Sequence, residues 1–257
     1  MSASAALLEV AAYLDQYLRI REVPDEAGAV NGLQVENHSG RLVRVVAAVD
    51  ASHATIEGIV GGEPTLLVVH HGLLWDGNVA VTGRRYRRLA MLLQRDIAVY
   101  AAHIPLDIHP DVGNNVGLAR LLGLTNLSSF DSYKGIPLGV RGDYPEGLAR
   151  ERLVDRLNQC LNTGARLMPG GPAISRSVGV ITGAGGSRIA AAREAGLDTF
   201  ITGEGAHHTF FDAMELGINV IYAGHYATEQ VGVKALAAHL TDRFGLPWEF
   251  HDHPTGL

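Results

Sequence analysis

Four stretches of this 257-residue chain run from a short apolar segment straight into histidine or acid. "TLLVV" ends in His70 and His71, and "IAVYAA" leads to His103 with Asp107 four residues on. "NVIYAG" leads to His225 with Glu229 four residues on, and "DTFIT" to Glu204 with His207 and His208 nearby. Imidazole and carboxylate without sulfur form a donor set for divalent iron, zinc, manganese, cobalt or nickel. A carboxylate can also bridge two ions about 3.5–4 Å apart, a recurrent hydrolytic arrangement. Successive strand residues point to opposite faces, so His70 and His71 are poorly placed to chelate one ion together. Where the strand turns into loop, each could serve a different ion. The three-residue gap between His225 and Glu229 spans one helical turn and aligns them once a helix has begun. His103 either ligates or orients Asp107. His207 and His208 fall at the start of an amphipathic helical pattern. The remaining histidines considered, His38, His53, His239, His251 and His253, read as ordinary hydrogen-bonded residues.

Positioning these groups requires strands that end together. Apolar runs at 43–49, 65–70 and 97–102 alternate with helical patterns, and the rhythm resumes in "SVGVIT", "DTFIT" and "NVIYAG". Such alternation predicts an α/β fold with mainly parallel sheets covered by helices. Ligands of such sheets gather beyond the carboxyl ends of the strands, where these polar residues fall. Proline and glycine cluster in a less regular middle, 126–172, which predicts a join between two lobes, 1–125 and 126–257. Both halves run strand, helix, strand, helix, strand, histidine, three residues, acid, and so predict an internal duplication. The first eighteen residues lack a basic leader and read as an amphipathic helix, with Leu7, Leu8, Ala11, Leu14 and Leu18 on one side.

Two further motifs are weaker. "RRYRR" (84–88) could grip a phosphate or form a solvated face. "GAGGS" (183–187) looks like a phosphate loop but lacks the lysine and the full dinucleotide pattern. Net charge is −6 with no long basic run, which argues against duplex nucleic acid as a partner. No apolar run reaches membrane-spanning length. Cys160 is the one cysteine; it excludes an internal disulfide and a thiolate cluster and fits a reducing, cytoplasmic compartment. Its setting, "LVDRLNQCL", predicts a half-buried thiol on a helix.

Four blocks carry a resemblance that extends over essentially the whole chain: "NGLQVE" (31–36), "HHGLLW" (70–75), "AHIPLDIHPDVGNN" (102–115) and "GHYATEQVGVKAL" (224–236). By them the sequence resembles the Nif-three-like (Ngg-interacting factor three) family, also called GTP cyclohydrolase I type 2 or dinuclear metal centre proteins. The resemblance implies two similar α/β lobes facing a metal-binding cleft and a toroidal homohexamer. It also implies two metal ions per chain held by His70, His71, Asp107, His225 and Glu229, with Asp107 and Glu229 as bridges. Three departures stand out: "HIPLD" replaces the commoner His-Thr-Pro form, Ala29, Val30 and Asn31 stand where an aspartate usually precedes "GLQ", and there is no inserted third domain of the kind some members carry between the lobes. The expected activity is hydrolysis of a small nucleotide-like or heterocyclic compound. His103 would orient a ligand or move a proton, and Glu204 would act as general base. A non-catalytic metal carrier or scaffold would use the same ligands.

Overall fold

The computed structural model describes residues 4–257. The chain falls into two compact units, 1–106 with 232–253 and 107–231 with 254–257. The sequence places a join after residue 125, whereas packing divides the chain after residue 106. The reason that 232–253 belongs with the first unit is a strand near the carboxyl terminus, described below, that extends that unit's sheet.

In the first unit, β1 (Ala5–Ala6) leads into α1 (Leu7–Tyr17), followed by β2 (Gly32–Val35), β3 (Arg41–Leu42) and β4 (Arg44–Asp50). Then come α2 (His53–Gly58), β5 (Thr65–His71), α3 (Gly83–Gln94), β6 (Ile97–Ala101) and the single turn α4 (Ile104–Asp107), whose last residue is the first of the second unit. Strands β4, β5 and β6 pair in parallel, with antiparallel β2 on the outer side of β6. They are buried on both faces, which is why they read as unbroken Val/Ala/Leu runs. Leu67, Val69 and Val99 pack with Ile56 of α2, Ile59 just after it and Leu92 of α3. Each such side chain stabilises the unit by about 1.5–3 kcal/mol. On α1, Leu7, Val10, Ala11 and Leu14 are buried, but Leu8 is 64% exposed. Val10 thus takes the inward place expected of Leu8, because residues three and four apart share a helix face.

The second unit opens with α5 (Asn114–Leu121), β7 (Thr125–Tyr133), β8 (Ile136–Ala149), α6 (Arg150–Leu161) and β9 (Arg166–Pro169). It continues through β10 (Ile174–Val180), α7 (Ile189–Glu194), β11 (Thr199–Thr202), α8 (Thr209–Leu216) and β12 (Asn219–Tyr222). Its sheet runs β7-β8-β10-β11-β12-β9, with β10, β11 and β12 parallel and the other pairs antiparallel. The succession of three parallel strands therefore recurs in both units, each flanked by antiparallel strands at an edge. Helix α9 (His225–Phe244) follows, and β13 (Trp248–Phe250) then pairs in parallel with β4.

The middle segment is more regular than its sequence suggests. β7 and β8 form a hairpin closed by Lys134 and Gly135, at φ +47° and +85°. Two positive φ values are the signature of the tight turn that matches strand twist. The "YKGIPLG" cluster is thus a hairpin turn and its outgoing strand, not a join.

Candidate metal centre

In both units the polar residues sit where parallel strands end. Asp50 closes β4, His70 and His71 close β5, and His103 follows β6. Asp50 and His71 are register partners, so the side chains closing these strands are neighbours. His71 Nδ1 lies 2.9 Å from Asp50 Oδ1, and His103 Nδ1 lies 2.7 Å from Asp25 Oδ1. His70, fully buried, places Nδ1 2.9 Å from the carbonyl oxygen of Ala102. A carbonyl can only accept, so His70 Nδ1 carries the hydrogen and the neutral ring keeps its lone pair on Nε2. The carboxylates impose the same tautomer on His71 and His103. One ring nitrogen from each of the three lies within 4.8 Å of those of the others. The indole of Trp75 stands edge-on to His103, centroids 5.0 Å apart, and packs steeply against His71.

A bracket from the loop before β2 holds this cluster. Asp25 Oδ2 accepts from Asn31 Nδ2 at 2.8 Å and from the backbone N–H of Ile104 at 3.0 Å. Asn31 Oδ1 accepts from the backbone N–H of His103. Burial alone would raise the Asp25 carboxyl, but bonding and attraction from His103, with Asn31 assisting, hold it below its ordinary value. Gln34 Oε1 accepts from the N–H of Leu73 at 2.7 Å, closing the turn after His71. A side chain on Gly72 would overlap the Gln34 amide. The "NGLQ" block is therefore a clamp on two strand ends.

In the second unit, Asp107 is buried, and its Oδ1 accepts from Asn114 Nδ2 at 2.8 Å and Thr182 Oγ1 at 3.2 Å. His225 opens α9, and its Nε2 lies 3.1 Å from Oε2 of buried Glu229, as one-turn spacing predicts. His225 Nδ1 lies 2.9 Å from Glu204 Oε1. Burial pulls the His225 pKa down, but the Glu229 and Glu204 carboxylates outweigh it and raise it to about 9. Gly183, at φ +66°, packs against Glu229, leaving no room for a Cβ.

Several sequence readings change. Glu204, expected as a general base, engages His225 Nδ1. His103, expected either to ligate or to orient Asp107, has Asp25 as a carboxylate partner at Nδ1. His207 and His208 are exposed, and His207 packs edge-on against Phe211. The "GAGGS" amides serve the protein: Gly183, Gly185 and Gly186 donate to Thr228 Oγ1, Thr202 Oγ1 and the Glu204 carbonyl. Cys160 is exposed rather than half-buried, at the edge of the face on which α6 buries Leu153, Leu157 and Leu161. Asp25, Asp50 and Asn31 were missed as site residues. Only Asp50 had a signal, an acid closing an apolar run as His70 and His71 do.

A mixed α/β chain whose histidines turn one nitrogen to an oxygen anchor and present the other is a protein equipped to hold a metal with nitrogen and oxygen ligands. More particularly, the chain belongs to the Duf34/NIF3 (NGG1p interacting factor 3) family, whose model matches residues 5–255. It is 44% identical over 249 residues to a Deinococcus radiodurans protein named GTP cyclohydrolase 1 type 2 homolog, covering 97% of this chain and 94% of that one. A protein of the same name from Halobacterium salinarum is 41% identical over 252 residues, covering 97% and 98%. A crystal structure of a Thermus thermophilus protein is similar at TM-score 0.87 and 43% identity, over 98% of this chain and all of that one. Among the described residues, no helix is long and apolar enough to cross a membrane.

Proposed function

We propose that this chain is a metal-dependent hydrolase of a small nucleotide-like or heterocyclic compound, using two divalent ions. The ligands in this reading are His70, His71, Asp107, His225 and Glu229. The observation that carries it is the shared arrangement of His70, His71 and His225. Each anchors Nδ1 on an oxygen and so directs Nε2 to a ligand. Bound divalent ions supply Lewis acidity, which polarises a scissile bond and acidifies water.

The chain's own residues have separable tasks. Asp50 fixes the ring of His71, and Glu204 that of His225. Asn114 and Thr182 hold the carboxylate of Asp107. His103, held by Asp25, is the group assigned to move a proton, since its ring nitrogen lies within 4.8 Å of those of His70 and His71. The cyclohydrolase-type names of the relatives point to a nucleotide as the first substrate class to try. A cytoplasmic, ring-shaped homohexamer completes the reading, and sedimentation velocity tests the assembly.

Measuring metal per chain, then turnover of a nucleotide panel by loaded wild type and Asp107→Ala, tests the function. Two ions per chain with turnover lost in the variant is the expected result. Two ions with no turnover across the panel favours a metal carrier. Metal near zero after reloading overturns both.

A further inference from the structure

Outside the histidine–carboxylate set, α3 opens with Arg84, Arg85, Arg87 and Arg88, in a chain of net charge −6. Arg85 is buried and committed, donating to the carbonyls of Val79 at 2.8 Å and Gly77 at 3.2 Å. Arg84 reaches Asp76 at 3.0 Å in an exposed pair, a kind of contact that contributes little. Arg88 is different. Its Nη1 donates to the carbonyl of Ala51 at 3.2 Å, while its Nε is buried and meets no acceptor among the described residues. Buried donors are nearly always satisfied, and leaving a charged one unsatisfied is costly.

The position matters as much as the unmet bond. Ala51 follows Asp50, the acceptor at His71 Nδ1, and its own N–H donates to the His71 carbonyl at 2.9 Å. The Arg88 guanidinium therefore stands one residue from the support of the histidine cluster. Burial, then repulsion from Arg84, lowers its pKa; Asp76 opposes this and Arg85 adds to it. Exposed Asp76 is the one acid in that group, so positive charge is in local excess.

We infer that Arg88 and Arg84, one helical turn apart, form an oxyanion subsite beside the histidine cluster for the phosphate of a small phosphorylated ligand. The planar guanidinium fork suits phosphate geometry, and Asp76 is the carboxylate such a group would displace from Arg84. The subsite names a substrate class for the proposed hydrolase, and rests on that reading only for what the phosphate is attached to.

Calorimetric titration of inorganic phosphate and of pyrophosphate tests it, using the full chain after chelation and again after manganese reloading. Wild type should bind pyrophosphate in the metal-depleted state. Arg88→Gln should weaken binding at least tenfold and Arg84→Gln severalfold. Arg41→Gln, at an exposed arginine that bonds Ser4, should leave binding unchanged. Metal per chain should match wild type throughout. The proposal is overturned if metal-depleted wild type binds neither anion at millimolar concentration, or if the Arg88 and Arg84 variants keep wild-type affinity. Should Arg88→Gln fail to fold by its melting curve, Arg84→Gln decides, because that side chain is 74% exposed. Failure of the metal reading shows separately, as negligible metal after reloading.

Discussion

Asp50 and Asp25 lie 21 and 78 residues from the histidines whose Nδ1 atoms they anchor. Removing such an anchor typically lowers metal affinity 10- to 100-fold. Asp50→Ala should do so while the fold survives, as read by metal competition against a chromophoric chelator. Asp25→Asn should act similarly, because an amide cannot accept at both of its atoms from His103, Asn31 and Ile104. His225 makes a pH prediction with a definite sign. Its proton, held up to about pH 9 by Glu229 and Glu204, must leave before the ring can bind metal. Apparent affinity should therefore rise about tenfold between pH 7 and 8, and calorimetry in buffers of different ionisation enthalpy should show a proton released. In the metal-free protein the same pairing stabilises the fold fully below the ordinary value of 6.5, and that contribution is lost as pH rises through about 9. The histidines were legible because each closes an apolar run. Their anchors were not, because a partner 78 residues away leaves no spacing in the sequence.

At the scale of elements, the turn after His71 transmits the most. Gln34 reaches it from β2, and Gly72 is the residue that admits the Gln34 amide. Gly72→Ala should displace that amide, lowering both melting temperature and metal content, whereas Gln34→Ala should do so less. Leu67→Ala, deep in β5, should cost about 2–5 kcal/mol by denaturant titration, as large-to-small core changes do. Strands such as β4 and β5 were legible since burial on both faces demands continuous apolar sequence. β7 was not: at the sheet edge it is largely exposed, and "TNLSSFDSY" owes its strand conformation to pairing with β8. The helix beginning at Leu7 was legible in place and in most of its inward face; Leu8 is exposed and Val10 buried instead, because Val10 lies three residues after Leu7 and four before Leu14.

For the whole molecule, metal and stability should be linked. A ligand at 100 times its Kd that binds only the folded form adds about 2.7 kcal/mol. Chelation should accordingly lower the melting temperature by several degrees, and Asp107→Ala should blunt that difference. The alternation of strand and helix made the α/β class legible along the whole chain. The division after residue 106 was hidden because β13 joins the first sheet from the far end of the sequence. The position of Trp75 also has an optical consequence. The chain holds two tryptophans, and Trp248→Phe would leave Trp75 as the sole strong emitter, its indole against His71 and His103. Cobalt or nickel at those rings should quench its fluorescence and zinc should not, so the protein would report, by its own light, which ion it carries.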